Sequence, residues 1–479
     1  MKKLRKSNDY SQKVGSKKIY APSRLLRFFR AFHFLVVASL LFTVSTQIFS
    51  EKPIRFSEGL QRLLEGNAKI LESKAQILSF TALKTEASAT DLPSLTLLTF
   101  VAPIFESHGN ALQSTGDING KWGPMIHGEL QVVYPVFSFG RIGHAKKAAD
   151  FGVEAANHLH QGQINKTIFE YKQLYLQLIL LKRLKLVLDE ASEKMKTVLA
   201  LAEKLYKKGT GELQRKDLTR LKLFSLELEK FHSEWKHNHL SASRALGHFF
   251  SDEDSYLVLE SDFPKIEEEQ NTLQALIELG RKKNPDFKAL SSGLQARRHQ
   301  VEMEKGGVLP VLFIAARADG NVTPVRDRQE SSYAFDPYNR SMLGIALGAK
   351  WDFDWGKLKA NEQKAQSTLD ALKAKQREAD TGIPLKIAMA VWEYEKMQTQ
   401  WNISRSKYKE ANKWSFSEMS AYNTGTGNSK DLLEALGALL IAEKDLAESE
   451  YQVCVSSARL ALEVGEQAML KNWIEQNAE

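Results

Sequence analysis

The sequence predicts a mainly helical protein with a smaller β part, in which a unit of helix, strand, strand and long helical hairpin occurs twice. The duplication is predicted by landmarks that recur in the same order at offsets of 216 or 217 positions. They are Gly140 and Gly356, YKKGTG at Tyr206–Gly211 and YNTGTG at Tyr422–Gly427, Asn67 and Asn284, and the Leu-Pro pairs at 92–93 and 309–310. Self-similarity at a fixed period is the signature of a repeated structural unit. The predicted repeats are residues 51–262 and 268–470, between a leader at 1–50 and a tail at 471–479.

Each unit opens with a helical stretch, predicted as one helix over 56–89 and again over 273–305. Apolar residues at helical spacing, such as Leu60, Leu63 and Leu64, support this prediction. The Leu-Pro pair then ends the helix, because proline disfavours helical geometry in the residue before it. Two strands with a polar loop between them follow in each unit. The predicted strands are 94–105, 125–138, 309–318 and 341–353, and the loops are 106–124 and 319–340.

The fourth predicted strand alternates clearly between two kinds of side chain. Leu343, Ile345 and Leu347 lie on one face, with Gly344 and other small or polar residues on the opposite face. In a soluble sandwich the apolar face would cover a core. In a membrane barrel it would meet lipid, with the polar face lining water. The second arrangement is favoured because the first leaves the repeat and the long hairpins unexplained.

Each unit closes with a very long helical hairpin. The first outgoing helix is predicted over 141–208, which corresponds to ~100 Å of continuous helix. It carries the heptad spacing of a coiled coil, at Leu174, Leu178, Leu181, Leu188, Ala191, Met195, Val198, Ala202 and Leu205. Turns at Gly209 and Gly211 and at Gly425 and Gly427 end the outgoing helices. The second hairpin is predicted over 357–423 and 432–466, with an interruption expected at Gly382 and Pro384.

Strand changes to helix at two similar junctions, YPVFSFGRIGHA at 134–145 and KWDFDWGKLKAN at 350–361. Pro135 removes one hydrogen-bond donor from its strand. Gly140 permits a backbone bend that a side chain would resist, and Gly356 marks the second junction.

The first 50 residues resemble a secretory leader. Residues 1–30 carry ten Lys or Arg and one Asp, and the uncharged apolar run AFHFLVVASLLFTVSTQIFS follows at 31–50. That run is also long enough to remain as an inner-membrane anchor. The formal net charge of +8 lies mostly in this leader, so the remainder is close to neutral and gives no reason to expect nucleic acid binding.

Composition and motifs argue against several other classes. The single cysteine, Cys454, excludes an internal disulfide and a multi-cysteine metal site. The histidines His232, His237 and His239 do not share one helical face, so no metal site is predicted there. No catalytic or phosphate-binding motif stands out, so neither an enzyme nor a cofactor is expected.

Taken together, residues 54–470 resemble the TolC-like outer-membrane efflux proteins. The resemblance depends on the two copies, the Leu-Pro pairs, the aromatic-glycine-basic junctions, and the phrases YKKGTGELQRKDL and YNTGTGNSKDLLEA. It implies a homotrimer in the outer membrane of a Gram-negative bacterium. Each subunit would give four strands to a twelve-stranded β-barrel in outer-membrane lipid, and the helices would form a periplasmic α-helical barrel.

The same resemblance implies a passive exit duct. Its partners would be a periplasmic adaptor protein and an inner-membrane pump, in a tripartite efflux or type I secretion system. The alternative is a structural periplasmic coiled-coil protein anchored in the inner membrane by residues 31–50. The transported substrate does not follow from the sequence.

In the family, the hairpin tips form the periplasmic mouth of the pore. Asp431 and Glu434 lie three apart, so three subunits would present rings of negative charge to the pore. The other residues implied in gating are Tyr422, Asp217 and Tyr206. The family's basic residue two positions after the tip glycine is replaced here by Gly427, which puts one gating salt bridge in doubt. Solvated helix starts near a turn are the alternative interpretation of Asp431 and Glu434.

Overall fold

The computed structural model describes residues 51–109, 113–116, 118–208, 215–265 and 271–466. The predicted leader at 1–50, the tail at 471–479 and the turn glycines Gly209 and Gly211 lie outside the described residues. None of the helices in the described ranges has both the length and the apolar character needed to span a membrane.

The opening helix of each unit is divided in two by an asparagine, which corrects the prediction of one continuous helix. In the first unit α1 (Phe56–Gly66) and α2 (Ala68–Ala89) meet at Asn67. The Asn67 side chain accepts hydrogen bonds from the amides of Lys69 and Ile70, which caps α2, and donates to the Phe249 carbonyl. A side chain that caps one helix and ties it to a distant segment explains why this landmark is an asparagine.

The second unit repeats this arrangement. Helices α5 (Leu273–Lys283) and α6 (Pro285–Lys305) meet at Asn284. Asn284 accepts from the amides of Asp286 and Phe287 and donates to the Glu463 carbonyl at 2.9 Å.

Four of the strands form one antiparallel sheet in chain order. They are β2 (Ser94–Phe105), β5 (Trp122–Phe137), β7 (Val311–Val322) and β8 (Arg340–Lys350). All four predicted strands are confirmed, with limits that differ by up to four residues. The short strands β3 (Ser107–Gly109) and β4 (Ser114–Gly116) pair within the first loop, and β1 (Lys52–Ile54) pairs in parallel with β6 (Tyr256–Val258).

The two long helical hairpins are confirmed. The first consists of α3 (Arg141–Lys208) and α4 (Arg215–Phe249), and the second of α7 (Trp355–Asn423) and α8 (Ser429–Val464). The predicted interruption at Gly382 and Pro384 is wrong, because α7 is continuous through both residues. Buried side chains on either side of the proline hold the helix in place, Leu369 against α6 and Ile387 against α5.

The long helices form a layer. Helix α3 packs against α4 on one side and α8 on the other, and α7 packs on the far side of α8. Nearer the sheet, α2 and α6 also pack on α3, and α6 reaches α7. The order helix, strand, strand, hairpin therefore occurs twice. That the halves arose by duplication, with limits at 51–262 and 268–470, remains a prediction.

The two strand-to-helix junctions differ in detail. Gly140 has φ +86°, in the left-handed region, so the predicted backbone bend is present there. Gly356 instead lies in the first turn of α7, which Asp354 caps by accepting a hydrogen bond from the Lys357 amide at 3.2 Å. Pro135 lies at a register shift between β5 and β7, where its missing donor is accommodated.

Candidate functional site at the sheet and the hairpin tips

One face of the four-stranded sheet is apolar and uncovered. Strand pairing places Leu347 opposite Ile314 and Ile345 opposite Ala316, so these side chains share a face. Leu343, Ile345 and Leu347 are 78%, 77% and 78% exposed. No described element packs over them, in contrast to the buried core that a soluble sandwich requires. A contiguous exposed apolar surface of this kind marks a face that meets lipid or another protein.

The opposite face carries a network of charges. The Arg317 guanidinium contacts Glu129 at 2.9 Å and Asp319 at 3.5 Å, and Arg340 contacts Asp319 at 3.0 Å. His127 on the same face is hydrogen-bonded to Asn321. Asp319 is buried beneath its two arginines. Sequence analysis did not single out these residues, although the alternation of Arg317, Asp319 and Asn321 in β7 was the available signal.

The second loop, from 323 to 339, is a folded structure. The Arg326 guanidinium lies between the rings of Phe105 and Tyr338, 4.6 Å and 4.5 Å from their centroids. Asp336 accepts hydrogen bonds from the amides of Gln329, Tyr338 and Asn339. The loop is therefore held against the end of the sheet by its own side chains, and its apex residue Tyr333 is fully exposed.

The first loop is joined to the second through His108. Its Nε2 lies 3.0 Å from a Glu106 oxygen, and its Nδ1 lies 3.1 Å from an Asp327 oxygen. Asp327 also accepts from the Gly109 amide at 2.9 Å. Ionised carboxylates only accept hydrogen bonds, so two such contacts require both ring nitrogens to donate. The hydrogen bonds and charges of Asp327 and Glu106 raise the pKa of His108.

The tip of the second hairpin is a tight turn built on two glycines. Gly425 has φ +78°, and the amides of Thr426 and Gly427 both donate to the Ala421 carbonyl at 2.9 Å. A Cβ on Gly427 would lie 2.8 Å from the Tyr422 nitrogen, so the backbone leaves no room for a side chain. A basic side chain at this position would therefore clash with the backbone of the turn in its present conformation.

The predicted acidic pair lies at the start of α8. Asn428 caps this helix by accepting hydrogen bonds from the amides of Lys430 and Asp431, and its side chain also donates to the Asp431 carboxylate. Glu434 is exposed and forms an ion pair with Lys430 at 3.7 Å. The cap was missed by sequence analysis, although an asparagine three residues before an acid is a known helix-start signal.

The two tip tyrosines are not equivalent. Tyr422 is 7% exposed, whereas Tyr206 is 43% exposed. The Tyr422 ring packs in a cluster that joins both hairpins, with Leu221 of α4 and Leu432 of α8 among its members. Within the described ranges its hydroxyl is buried without a hydrogen-bond partner. Burial, with a smaller contribution from the negative charge of Asp217, raises the pKa of this hydroxyl.

The structure thus brings Asp217 near Tyr422. Asp217 is in the first turn of α4, where Arg220 lies 3.5 Å from its carboxylate. A hydrogen bond between Asp217 and the Tyr422 hydroxyl is not formed.

The three histidines of α4 have separate partners. His232 is hydrogen-bonded to Ser192, His237 to the Ser233 carbonyl, and His239 to Glu51. Among the described residues no group of three or more His, Cys, Asp or Glu side chains is arranged to hold a metal ion.

A sheet with a bare apolar face, continued by long helical hairpins, is the arrangement that the resemblance to the TolC-like proteins implies. Residues 276–466 match the family model described as outer membrane efflux protein. The resemblance to the TolC-like outer-membrane efflux proteins is confirmed by this match, which covers most of the second predicted repeat. No curated protein sequence matches the chain.

Solved outer-membrane channels share the fold. The chain is similar to the outer-membrane channel OprN, with 18% identity and a TM-score of 0.70 over 85% of this chain and 89% of that one. It is similar to VceC from Vibrio cholerae at 16% identity and a TM-score of 0.69, over 85% and 95% of the two chains. The CmeC outer membrane channel of Campylobacter jejuni gives 15% identity and a TM-score of 0.71, over 88% and 89%.

Proposed function

We propose that the protein is the outer-membrane exit duct of a tripartite efflux or type I secretion system. The observation that carries the proposal is the sheet, which has one uncovered apolar face, a charged opposite face and two free edge strands, β2 and β8. Open sheet edges are not tolerated in hydrocarbon, so four strands in a membrane require partners. Three copies would close a twelve-stranded barrel, with the network around Asp319 on its water-filled side.

The proposed assembly sets the location and partners. The barrel would lie in the outer membrane of a Gram-negative bacterium, with residues 1–50 removed as a signal peptide. The helical hairpins would extend into the periplasm as a tunnel. A periplasmic adaptor protein and an inner-membrane pump would supply the substrate, and the duct itself would conduct passively.

The hairpin tips would form the periplasmic mouth. Asp431 and Glu434 would give two rings of three carboxylates each, with Lys430 offsetting part of the charge of Glu434. Tyr422 and Asp217 would hold the neighbouring hairpins together when the pore is at rest. Support comes from the position of Tyr422, which is buried in a hydrophobic cluster that includes side chains of both hairpins.

Cell fractionation combined with planar-bilayer recording tests the function. We expect the protein in the outer-membrane fraction as heat-sensitive trimers that conduct when reconstituted. A cysteine at the exposed position Tyr333 should react with an impermeant maleimide on intact cells. Non-conducting monomers in the inner-membrane fraction would instead support the tethered coiled-coil alternative.

A further inference from the structure

Two histidine rings meet where α3 begins beside the end of α6. His144 lies in the first turn of α3, and its amide donates to the Gly140 carbonyl at 2.8 Å. His299 lies on α6, and the Nδ1 atoms of the two histidines are 3.0 Å apart. The helices approach closely here, because a Cβ on Gly306 would lie 3.2 Å from the Arg141 Cβ. This histidine pair, His144 and His299, therefore belongs to a tight contact between two helices.

A hydrogen bond between two Nδ1 atoms needs one donor and one acceptor. A neutral imidazole has one N–H group and one acceptor nitrogen, whereas a protonated imidazole has two N–H groups and no acceptor. The bond can form when both rings are neutral or when one ring is protonated. It cannot form when both are protonated, because two donors then face each other and two positive charges repel at short range.

The His299 ring is held toward His144 by an aromatic neighbour. The Phe151 ring of α3 stacks on His299, with the ring centroids 5.7 Å apart and the ring planes inclined by 8°. All three rings are half-buried. The two imidazoles therefore share a partly desolvated site between α3 and α6.

The charges on α3 and α6 do not compensate a second proton. Lys147 of α3 adds a positive charge near His299, and Glu302 of α6 adds a negative one. Glu302 is hydrogen-bonded to Lys305 at 2.8 Å, so the charge of Lys305 offsets its own.

Acidic side chains on the neighbouring segments act on other basic groups. Between α2 and α3, Asp91 pairs with Lys146 at 2.6 Å, and Asp150 pairs with Lys84 at 2.9 Å. From α7, the charge of Glu362 acts on Lys305 of α6.

The surroundings therefore favour the neutral form of His299. Burial, together with the positive charges of His144 and Lys147, lowers the pKa of His299, against a smaller opposite contribution from Glu302. A histidine whose pKa is lowered by folding contributes stability that is complete above its ordinary pKa of 6.5 and is lost as pH falls through the lowered value. The sign is opposite to that of His108, whose carboxylate partners raise its pKa.

The second unit lacks such a pair. At the offset of 216 His144 corresponds to Ala360, and at the offset of 217 His299 corresponds to Ala82. A junction of the same kind thus forms with alanine at both positions. What distinguishes the first junction is that its two rings can take up protons.

We propose that the histidine pair is a proton-sensitive contact, which holds the start of the first hairpin to α6 near neutral pH and releases it on acidification. Helix α3 follows β5 and α6 leads into β7, and these two strands are paired in the sheet. Release would therefore act at the base of the sheet, where strands pass into helices. The inference concerns a single chain and does not depend on the proposed function.

Hydrogen exchange of the full-length protein, measured by mass spectrometry, tests the proposal. Peptides that cover 141–151 and 295–305 are compared at about pH 8 and pH 5, the interval over which histidine ordinarily changes charge. The rates are corrected for the intrinsic effect of pH on exchange. We expect both peptides of the wild-type protein to lose protection at the lower pH, whereas peptides around Ala82 and Ala360 should keep theirs.

The matched variant is His299→Phe, which retains a ring to stack on Phe151 but takes up no proton. Its peptides should be equally protected at both pH values. His144→Ala, which places the alanine of the second junction in the first, should behave in the same way. An equal loss of protection in the wild type and both variants would overturn the proposal, and so would unchanged protection in the wild type. Neither result would bear on the proposed duct, because trimer formation and conductance are measured separately.

Discussion

At the scale of single residues, several polar side chains hold segments that are far apart in sequence. Asn67 and Asn284 each cap a helix and donate to a carbonyl about 180 positions away, Phe249 for one and Glu463 for the other. His108 joins two loops through two carboxylates, and Tyr422 joins two hairpins through its ring. Substitutions and pH changes at His108 and Tyr422 can show whether each link depends on hydrogen bonds or on packing.

The link through His108 should depend on pH. Its carboxylate partners raise its pKa above the ordinary 6.5, so the imidazolium form is bound more tightly in the folded loop. The stabilising contribution is therefore complete below pH ~6.5 and is lost as pH rises through the raised value. The rate of modification of His108 by diethylpyrocarbonate should give a midpoint above 6.5, and Asp327→Asn should lower that midpoint. An identical midpoint in the variant would show that Asp327 does not hold the imidazolium.

Tyr422 should contribute through its ring and not through a hydrogen bond. Tyr422→Phe removes a hydroxyl that is buried without a partner among the described residues, so stability should stay the same or rise, because an unpaired buried hydroxyl costs free energy in the folded state. Tyr422→Ala removes the buried ring and should cost about 3–5 kcal/mol. Thermal unfolding of the purified protein measures both. A large loss of stability in the Phe variant would reveal a hydrogen bond that matters to the fold. A rise in the resting conductance of the same variant would support the proposal that Tyr422 and Asp217 hold the neighbouring hairpins together.

At the scale of secondary-structure elements, the surroundings of a glycine in the tip turn or the sheet decide whether the position can hold a larger side chain. Gly427 and Gly425 are two residues apart, yet they are glycines for different reasons. Gly427 has backbone atoms against its missing Cβ, whereas Gly425 has open space and a positive φ. The glycines of β8 differ in another way, because a Cβ at Gly348 would meet the Phe313 ring whereas one at Gly344 would meet nothing within 4 Å.

Gly427→Ala should disturb the tip more than Gly425→Ala. A methyl group at 427 meets the Tyr422 nitrogen at 2.8 Å, so the turn must open, whereas at 425 the cost is backbone strain of ~1 kcal/mol. Limited proteolysis at 421–428 should cleave the Gly427 variant faster. Equal cleavage rates would mean that the turn relaxes without opening.

A charge on the apolar face of β8 should impair assembly. Leu347→Arg places a cation where lipid is proposed, at a cost of ~2–4 kcal/mol near mid-membrane. Gly344 is the matched control on the opposite face, because its missing Cβ meets nothing within 4 Å. Gly348 is unsuitable, since a Cβ there would lie 2.6 Å from the Phe313 ring. Heat-sensitive trimer on gels should fall for Leu347→Arg and persist for Gly344→Arg, and equal yields would refute the assignment of faces.

At the scale of the whole molecule, three copies would turn single charges into rings. One carboxylate at a helix start contributes little to stability, but three around a narrow pore attract cations and repel anions. Such an effect exists only in the assembly, so it has to be measured there.

Replacing both Asp431 and Glu434 by Ala should weaken cation selectivity in single-channel recordings while leaving trimer formation intact. Lys430→Ala should have the opposite effect, because Lys430 lies 3.7 Å from Glu434 and offsets part of its charge. Reversal potentials in a salt gradient give both results. If selectivity is unchanged in both variants, these side chains do not face the pore and the tip is a solvated turn.

Sequence alone determined the order of the four long strands and the two long hairpins, because periodicity, proline and glycine act locally. The helix limits at 141–208, the strand at 94–105 and the alternation of Leu343, Ile345 and Leu347 all follow from side-chain spacing along one segment. Tertiary structure decided whatever depends on residues distant in sequence. Packing on both sides carries α7 through Pro384, a cluster with side chains from both hairpins buries Tyr422, and the backbone of the tip excludes a side chain at Gly427. Local spacing contains no information on those contacts, since each is a distance between segments that only the folded chain brings together.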